Sequence, residues 1–304
     1  MKKNVLISGG SGFIGKYLTH LLVEKGFSVA VLSRSKRENT ENISYYQWDV
    51  NKQYIDENSV INADYIVHLA GEGIADKPWT NKRKKVIVES REKSIELIYE
   101  ALKKNDKKPE AFISASGIGI YGAVNGPLIC NENTPSAKDF LGTTCQKWEA
   151  AADKIASLDI RTVKIRTGLV LGKDEGFLKK LVPIFKLKLG SALGSGKQYM
   201  PWIHIDDLCS IYFEAITNSK LVGPFNAAVF DNTTNTSFSK TLAKTYGYTL
   251  WLPNVPAFLL KLVLGEMSKI ILTGRRVSSA QIEKLGFEFR FKNLKDALKD
   301  CLLE

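Results

Sequence analysis

NVLISGGSGFIG, Asn4 to Gly15, is the stretch whose reading decides the fold. Asn4 to Ser8 has the short, almost wholly apolar pattern of a buried strand. Glycines follow at 9, 10, 12 and 15, and then Ile14, Leu18, Leu21 and Leu22 fall at helical spacing through Lys25. Both Gly10-x-Gly12-x-x-Gly15 and Gly9-x-x-Gly12-x-x-Gly15 fit a dinucleotide-binding turn. One glycine makes the turn tight, one lets backbone amides approach a pyrophosphate, and one lets the helix pack against the strand. The helix start then offers its partial positive charge to the phosphates.

Strand and helix patterns alternate outward from that turn. FSVAVLS (27–33) and DYIVHLAG (64–71) read as strands, and Asn81 to Lys104 as a long helix. AFISASG (111–117) is a strand, Cys145 to Ala156 a helix, RTVKIRTGLVLG (161–172) a single strand, and GPFNAAV (223–229) one more. Continuous apolar strands separated by helices predict an α/β fold, a Rossmann-type doubly wound parallel sheet. After Leu171, prolines punctuate shorter elements. They suggest a smaller mixed C-terminal substrate lobe. The expected division is 1–230 for the Rossmann domain and 231–304 for the lobe, with 172–201 contributing to the lobe and a small terminal unit from about 249.

The second strand ends in Ser33-Arg34-Ser35. An NAD site usually presents an acid there to the ribose hydroxyls, whereas a guanidinium suits a 2′-phosphate. NADP(H) is therefore expected over NAD(H). Asp49, at the next strand end, reads either as a contact to the adenine amino group or as an ordinary turn acid. The small residues after His68, namely Leu69, Ala70 and Gly71, let the backbone pass close under a cofactor. His68 itself sits in an apolar strand and reads as packed.

Composition is that of a globular chain, 44% hydrophobic and 25% charged in 304 residues. The net charge of +11 comes from lysines spread along the chain, with knots at Lys82–Lys85 and Lys103–Lys108 and no interleaved aromatics. That pattern predicts a solvated face attracting small anions, and no nucleic-acid partner. Four scattered cysteines (130, 145, 209, 301) and three histidines (20, 68, 204) suggest no metal and fit a reducing, cytoplasmic setting. The apolar stretch Pro256 to Gly265 is too short to span a bilayer, so no membrane partner is expected. The chain is expected as a monomer or a homodimer, with the helix from Asn81 as one surface for pairing.

Several longer motifs carry a resemblance. GGSGFIG, HLAGE, SASGIGIYG and WIHIDDL together resemble the extended short-chain dehydrogenase/reductase superfamily, sugar-nucleotide epimerase type. IADKPWTNKRKKVIVESR, DFLGTTCQKWEAAA, IRTGLVLG, LGSGKQYMPWIHIDD and LTGRRVSSAQIEKLGFEF are similar to its atypical "epimerase family protein" branch, the YfcH-like type. The resemblance covers nearly the whole chain, and the piece from about Trp251 resembles that branch's own terminal domain. It implies NADP(H) binding. It assigns Gly9, Gly12, Phe13, Ile14 and Gly15 to the pyrophosphate, and Ser33 and Arg34 to the 2′-phosphate. Leu69 and Ala70 would lie under the cofactor, and Arg91 and Val170 would also touch it.

In that superfamily a strand-end Ser or Thr works with a Tyr-x-x-x-Lys pair on the next helix, the tyrosine exchanging a proton with the substrate. Ser114 and Ser116 lie at the expected strand end, but the pair's positions hold Leu141 and Cys145. The only Tyr-x-x-x-Lys, Tyr99 to Lys103, lies one helix too early on an amphipathic face with Ile95, Ile98 and Leu102. Ser116 and Tyr121 are left as catalytic candidates. Cys145 reads as a buried helix cysteine, Trp148 as core or lobe interface, and Glu149 as a solvated or capping acid. Asp206 and Asp207 read as an N-cap pair, with Trp202 and His204 facing a substrate. Lys188, Gly194 and Ser195 read as part of a lid. Two functions follow as expectations. One is an NADP(H)-dependent oxidoreductase or epimerase-like protein acting on a small carbonyl or sugar-like substrate. The other is a non-catalytic NADP(H)-binding regulator.

Overall fold

The computed structural model describes residues 2–173 and 175–303. Asn4–Ser8 (β1) leads into Phe13–Glu24 (α1), then Ser28–Ser33 (β2), Ile43–Asp49 (β3), Tyr54–Ile55 (β4), Glu57–Ile61 (α2) and Tyr65–His68 (β5). Asn81–Lys103 (α3) is followed by Ala111–Gly117 (β6), Ile129–Cys130 (β7), Phe140–Ala156 (α4), Arg161–Thr167 (β8) and Leu169–Leu171 (β9). Gly176–Lys186 (α5), Trp202–His204 (β10), Ile205–Thr217 (α6), Gly223–Ala227 (β11) and Asn235–Thr245 (α7) come next. The chain closes with Ala257–Leu264 (α8), Lys269–Leu272 (α9), Arg276–Val277 (β12), Ala280–Lys284 (α10) and Leu294–Leu303 (α11).

The main sheet runs β11-β8-β6-β5-β1-β2-β3-β4, parallel throughout except for antiparallel β4. Strand order reverses between β1 and β5, and in open α/β sheets the ligand crevice lies above the carboxyl ends at such a point. Period-two alternation along β1 fixes the two layers. Val5 and Ile7 pack with Leu18 of α1 and Leu208 of α6, whereas Leu6 packs with Ile98 of α3 and Ile155 of α4 on the other face. All three are fully buried, and such two-sided burial is what the continuous apolar runs encode.

Three elements depart from the sequence expectation. RTVKIRTGLVLG is two strands, not one. The chain leaves the main sheet at Gly168, and β9 pairs with β10 instead. A Cβ there would stand 2.7 Å from the Pro201 carbonyl oxygen and 3.1 Å from Ala228 Cβ, so only glycine makes the crossing. Helix α4 starts five residues earlier than its apolar spacing suggested, because Asp139 caps it. Its carboxylate accepts from Gly142 N at 2.8 Å and Ala123 N at 2.6 Å. The N-cap of α6 is His204 rather than an aspartate pair: its Nδ1 accepts from Asp206 N at 3.2 Å.

Asp207 serves the C-terminal segment. Its two carboxylate oxygens accept from Arg290 N (2.8 Å) and Phe291 N (3.0 Å). Asp206 pairs with the Arg290 guanidinium at 3.3 Å. Ala297, Leu298 and Cys301 of α11 join the core formed by α1 and α6, so this segment shares the sheet's hydrophobic core.

Candidate cofactor and active site

Gly9 takes φ +75°, which opens the turn after β1. A Cβ on it would meet Ala70 N at 2.9 Å, so the turn and the end of β5 lie backbone to backbone. A Cβ on Gly15 would fall 2.3 Å from the Gly9 carbonyl oxygen. Helix α1 begins at Phe13 with Gly12 as its N-cap and has neither a side-chain cap nor an acid in its first turn. Its leading amides and the helix dipole are therefore left for an external anion. Phe13 and Ile14, both half-buried, anchor that turn. The Phe13 ring packs under Gly172 and Gly176, beyond β9, and half-buried Val170 of β9 lies on the same side. These features fit a dinucleotide pyrophosphate.

At the end of β2, Ser33 Oγ donates to the Ser35 carbonyl at 2.8 Å and accepts from Ser35 N at 3.3 Å. This turn presents Arg34 to solvent, and no acid follows it before Glu38. The Arg34 charge acts on Glu72, whose side chain is bonded by Arg83 Nη1 at 2.7 Å. The Arg83 bond holds the Glu72 carboxyl below its usual range. Asp49 behaves as a turn acid, accepting from Asn51 N at 2.9 Å and Lys52 N at 3.2 Å.

Beneath the crevice, His68 is fully buried between Ser8 Oγ (2.6 Å from Nδ1) and Ser94 Oγ (2.9 Å from Nε2). Burial first, and the Arg91 charge second, push its pKa down to about 3, so the ring is neutral. Half-buried Leu69 and Ala70 follow it, then exposed Gly71, whose hydrogen side is closed by the Arg91 side chain. Arg91 is largely buried. Its Nη1 donates to the carbonyls of Glu72 (3.0 Å) and Ile87 (2.8 Å), and its guanidinium stacks 4.6 Å from the Trp148 ring. Arg91 thus holds the loop after β5 in place.

Both hydroxyl candidates at the end of β6 are turned inward. Ser116 is buried and donates to Glu149 Oε1 at 2.7 Å. Tyr121 is 3% exposed, and its hydroxyl donates to Asn226 Oδ1 at 2.7 Å and accepts from Arg166 Nη1 at 3.1 Å. Burial raises the Tyr121 pKa to about 12 despite the nearby Arg166 charge. Glu149 corrects the reading of it as a solvated acid. It is buried and grips Arg166 at both oxygens, Nε to Oε1 at 2.8 Å and Nη2 to Oε2 at 2.8 Å. Burial works against the Arg166 charge, but the Glu149 bonds outweigh it and hold its pKa above the usual value.

Leu141 and Cys145, one turn apart on α4, lie against Gly119, at 3.5 Å and 3.6 Å from where its Cβ would be. Burial pushes the Cys145 thiol up to about 12, so it is neither a thiolate nor a base. His204 and Trp202 do not face a cleft: both are buried, and Trp202 Nε1 donates to Asp231 Oδ2 at 2.9 Å. His204 Nε2 is 3.1 Å from Asp300, and Asp206 is also close. The buried ring therefore sits between α6 and the Asp300 carboxylate of α11, with Nδ1 engaged by the helix amide. Sequence reasoning missed the Glu149–Arg166 pair and this placement of His204. The available signal was Arg166 within a strand expected to be covered on both faces, where a charge demands a buried partner.

The model of the NAD dependent epimerase/dehydratase family matches residues 5–228, and that of a domain of unknown function, DUF1731, matches residues 255–301. The chain is 33% identical over 302 residues to the epimerase family protein YfhF of Bacillus subtilis, covering 99% of this chain and 98% of that one. It is 34% identical over 300 residues to the chloroplastic epimerase family protein SDR39U1 homolog of Arabidopsis thaliana, covering 97% and 85%. Among solved structures, human epimerase family protein SDR39U1 (isoform 2) with NADPH superposes with a TM-score of 0.86 at 30% identity, over 99% of both chains. With an uncapped glycine turn at the sheet's reversal point and relatives matched end to end, this chain belongs to the NAD dependent epimerase/dehydratase family, in the epimerase family protein branch that carries the DUF1731 domain.

Proposed function

We propose that the chain binds NADP(H) in preference to NAD(H) and acts as an oxidoreductase or epimerase-like enzyme on a small carbonyl or sugar-like substrate, without a tyrosine–lysine relay. The observation that carries the cofactor preference is Arg34, exposed at the end of β2 where an NAD site would place an acid. The human relative, whose structure contains NADPH, supports the same reading. The bound nicotinamide would supply hydride chemistry.

The chain's own part is positional. Gly9, Gly12 and Gly15 with the amides of Phe13 and Ile14 hold the pyrophosphate. Ser33 and Arg34 hold the 2′-phosphate. Leu69, Ala70 and Gly71 form the floor, which Arg91 keeps in register, and Val170 closes the far side. Ser116 and Tyr121 spend their hydroxyl protons on Glu149 and Asn226. A proton for the substrate oxygen is therefore best supplied by water.

Titration with NADPH and NADH tests the preference. Arg34→Ala should weaken NADPH roughly tenfold to a hundredfold, the range of a charge-assisted bond, and leave NADH nearly unchanged. Equal losses for both cofactors refute the assignment. A second reading, a cofactor-binding regulator without turnover, is favoured by Leu141 and Cys145 standing where acid–base chemistry belongs. Tight NADPH binding with no cofactor oxidation across a broad panel of aldehydes, ketones and sugar nucleotides would select it.

A further inference from the structure

The outer face of α8 is inverted. Phe258, Leu259, Leu262 and Val263 lie one turn apart in pairs and are 68, 42, 81 and 77% exposed, and no residue of this helix is buried. Beside it, the chain after α5 runs along the segment that leads into α8. Val255 N donates to the Ala192 carbonyl and Gly194 N to the Val255 carbonyl, at 2.9 and 2.8 Å. The exposed indole of Trp251 donates to the Lys188 carbonyl at 2.9 Å, between exposed Leu187 and Leu189. Large apolar side chains thus continue from the end of α5 through Trp251 to α8. A scattered exposed leucine needs no explanation, but a contiguous patch marks a contact surface.

Its charge says which contact. Residues 176–205 and 232–265, from which this face is drawn, contain eight lysines and no Asp or Glu, and Glu266, just beyond α8, is paired with Lys84 and Lys269. All eight lysines are exposed. A shallow groove of about 580 Å³ beside Trp251 is walled by Lys188 and Lys244. Lys261 stands on α8 itself. An apolar ridge flanked by Lys188, Lys244 and Lys261 complements an anionic, amphiphilic surface. A second copy of this chain, itself at +11, would bring the same lysines and repel.

We propose that this face docks on an anionic phospholipid surface, with Phe258, Leu262, Val263 and Trp251 entering the headgroup boundary and Lys188, Lys244 and Lys261 meeting lipid phosphates. The Pro256–Gly265 stretch, too short to cross a bilayer, is long enough to lie on one. No described helix is long and apolar enough to span a membrane, so contact at the surface is the mode this face offers.

Flotation of the full chain with vesicles tests this directly. It should float with phosphatidylcholine–phosphatidylglycerol vesicles and not with phosphatidylcholine alone. Leu262→Ser with Val263→Ser removes only exposed side chains, so the thermal melt should not move while partitioning falls at least tenfold. Lys188→Gln and Lys261→Gln should each reduce it roughly fivefold. Failure to float, equal flotation on neutral vesicles, or flotation indifferent to the double serine variant would each overturn the proposal. So would a concentration-dependent dimer that the serine variant dissolves, which assigns the face to a second copy.

Discussion

Replacing Glu149 with Gln should cost the fold far more than an ordinary ion pair does. The carboxylate receives three bonds, from Arg166 Nε and Nη2 and from Ser116 Oγ, all between 2.7 and 2.8 Å. The side chains of Arg166 and Glu149 are 7% and 9% exposed, so water does not compensate either charge. An amide keeps the volume and one acceptor oxygen but turns an N–H₂ toward the guanidinium and leaves its charge unpaired. Removing one partner of a buried pair costs about 3–5 kcal/mol. For a chain of this size that is a fall in melting temperature of roughly 5–8 °C. Urea denaturation and a thermal melt measure it. Glu149→Leu with Arg166→Met removes both charges and should recover part of the loss, the remainder reflecting the Ser116 hydroxyl and Glu132 carbonyl left without these partners. A Glu149→Gln variant within about 1 kcal/mol of the parent would refute the reasoning, because that is the worth of an exposed pair.

Gly15→Ala should abolish binding of both cofactors, because the added methyl falls 2.3 Å from the Gly9 carbonyl oxygen and must push the turn open; calorimetric titration reads this, and retained affinity would show that the turn yields. Acid should destabilise the protein through His68. The unfolded chain takes up its proton below about pH 6.5, while the native ring refuses it down to about 3, so stability present above 6.5 is lost at about 1.4 kcal/mol per pH unit in between. His68→Asn should flatten urea-derived stability between pH 6.5 and 5 by about 2 kcal/mol relative to the parent, and an unchanged slope would place the acid response elsewhere. The four cysteines are all buried, with burial raising each thiol's pKa. A thiol-reactive chromophore should therefore titrate none of them rapidly in the native state and four after unfolding, and one fast equivalent would contradict the placement of Cys145.

What was legible in the sequence was what neighbouring residues encode together. The strand–turn–helix of Asn4 to Glu24 is specified by glycines within seven positions, so its conformation follows from local sterics. The clamp of His204 and Asp207 on the C-terminal segment joins residues more than eighty positions apart, and no local pattern announces it. The fate of Glu149 is the instructive case, because the information to place it was present. Leu141, Cys145 and Glu149 recur every four residues and so lie on one face of α4. Placing the first two against the end of β6 commits the third to the same buried seam, beside Ser116. A carboxylate there requires a cation, and Arg166, buried near the end of β8, requires an anion. Each residue alone reads as a surface charge. Taken with the face of α4 already assigned, the two unmet needs identify one another, and the pair they form occupies the seam behind the strand end where the relay would have stood.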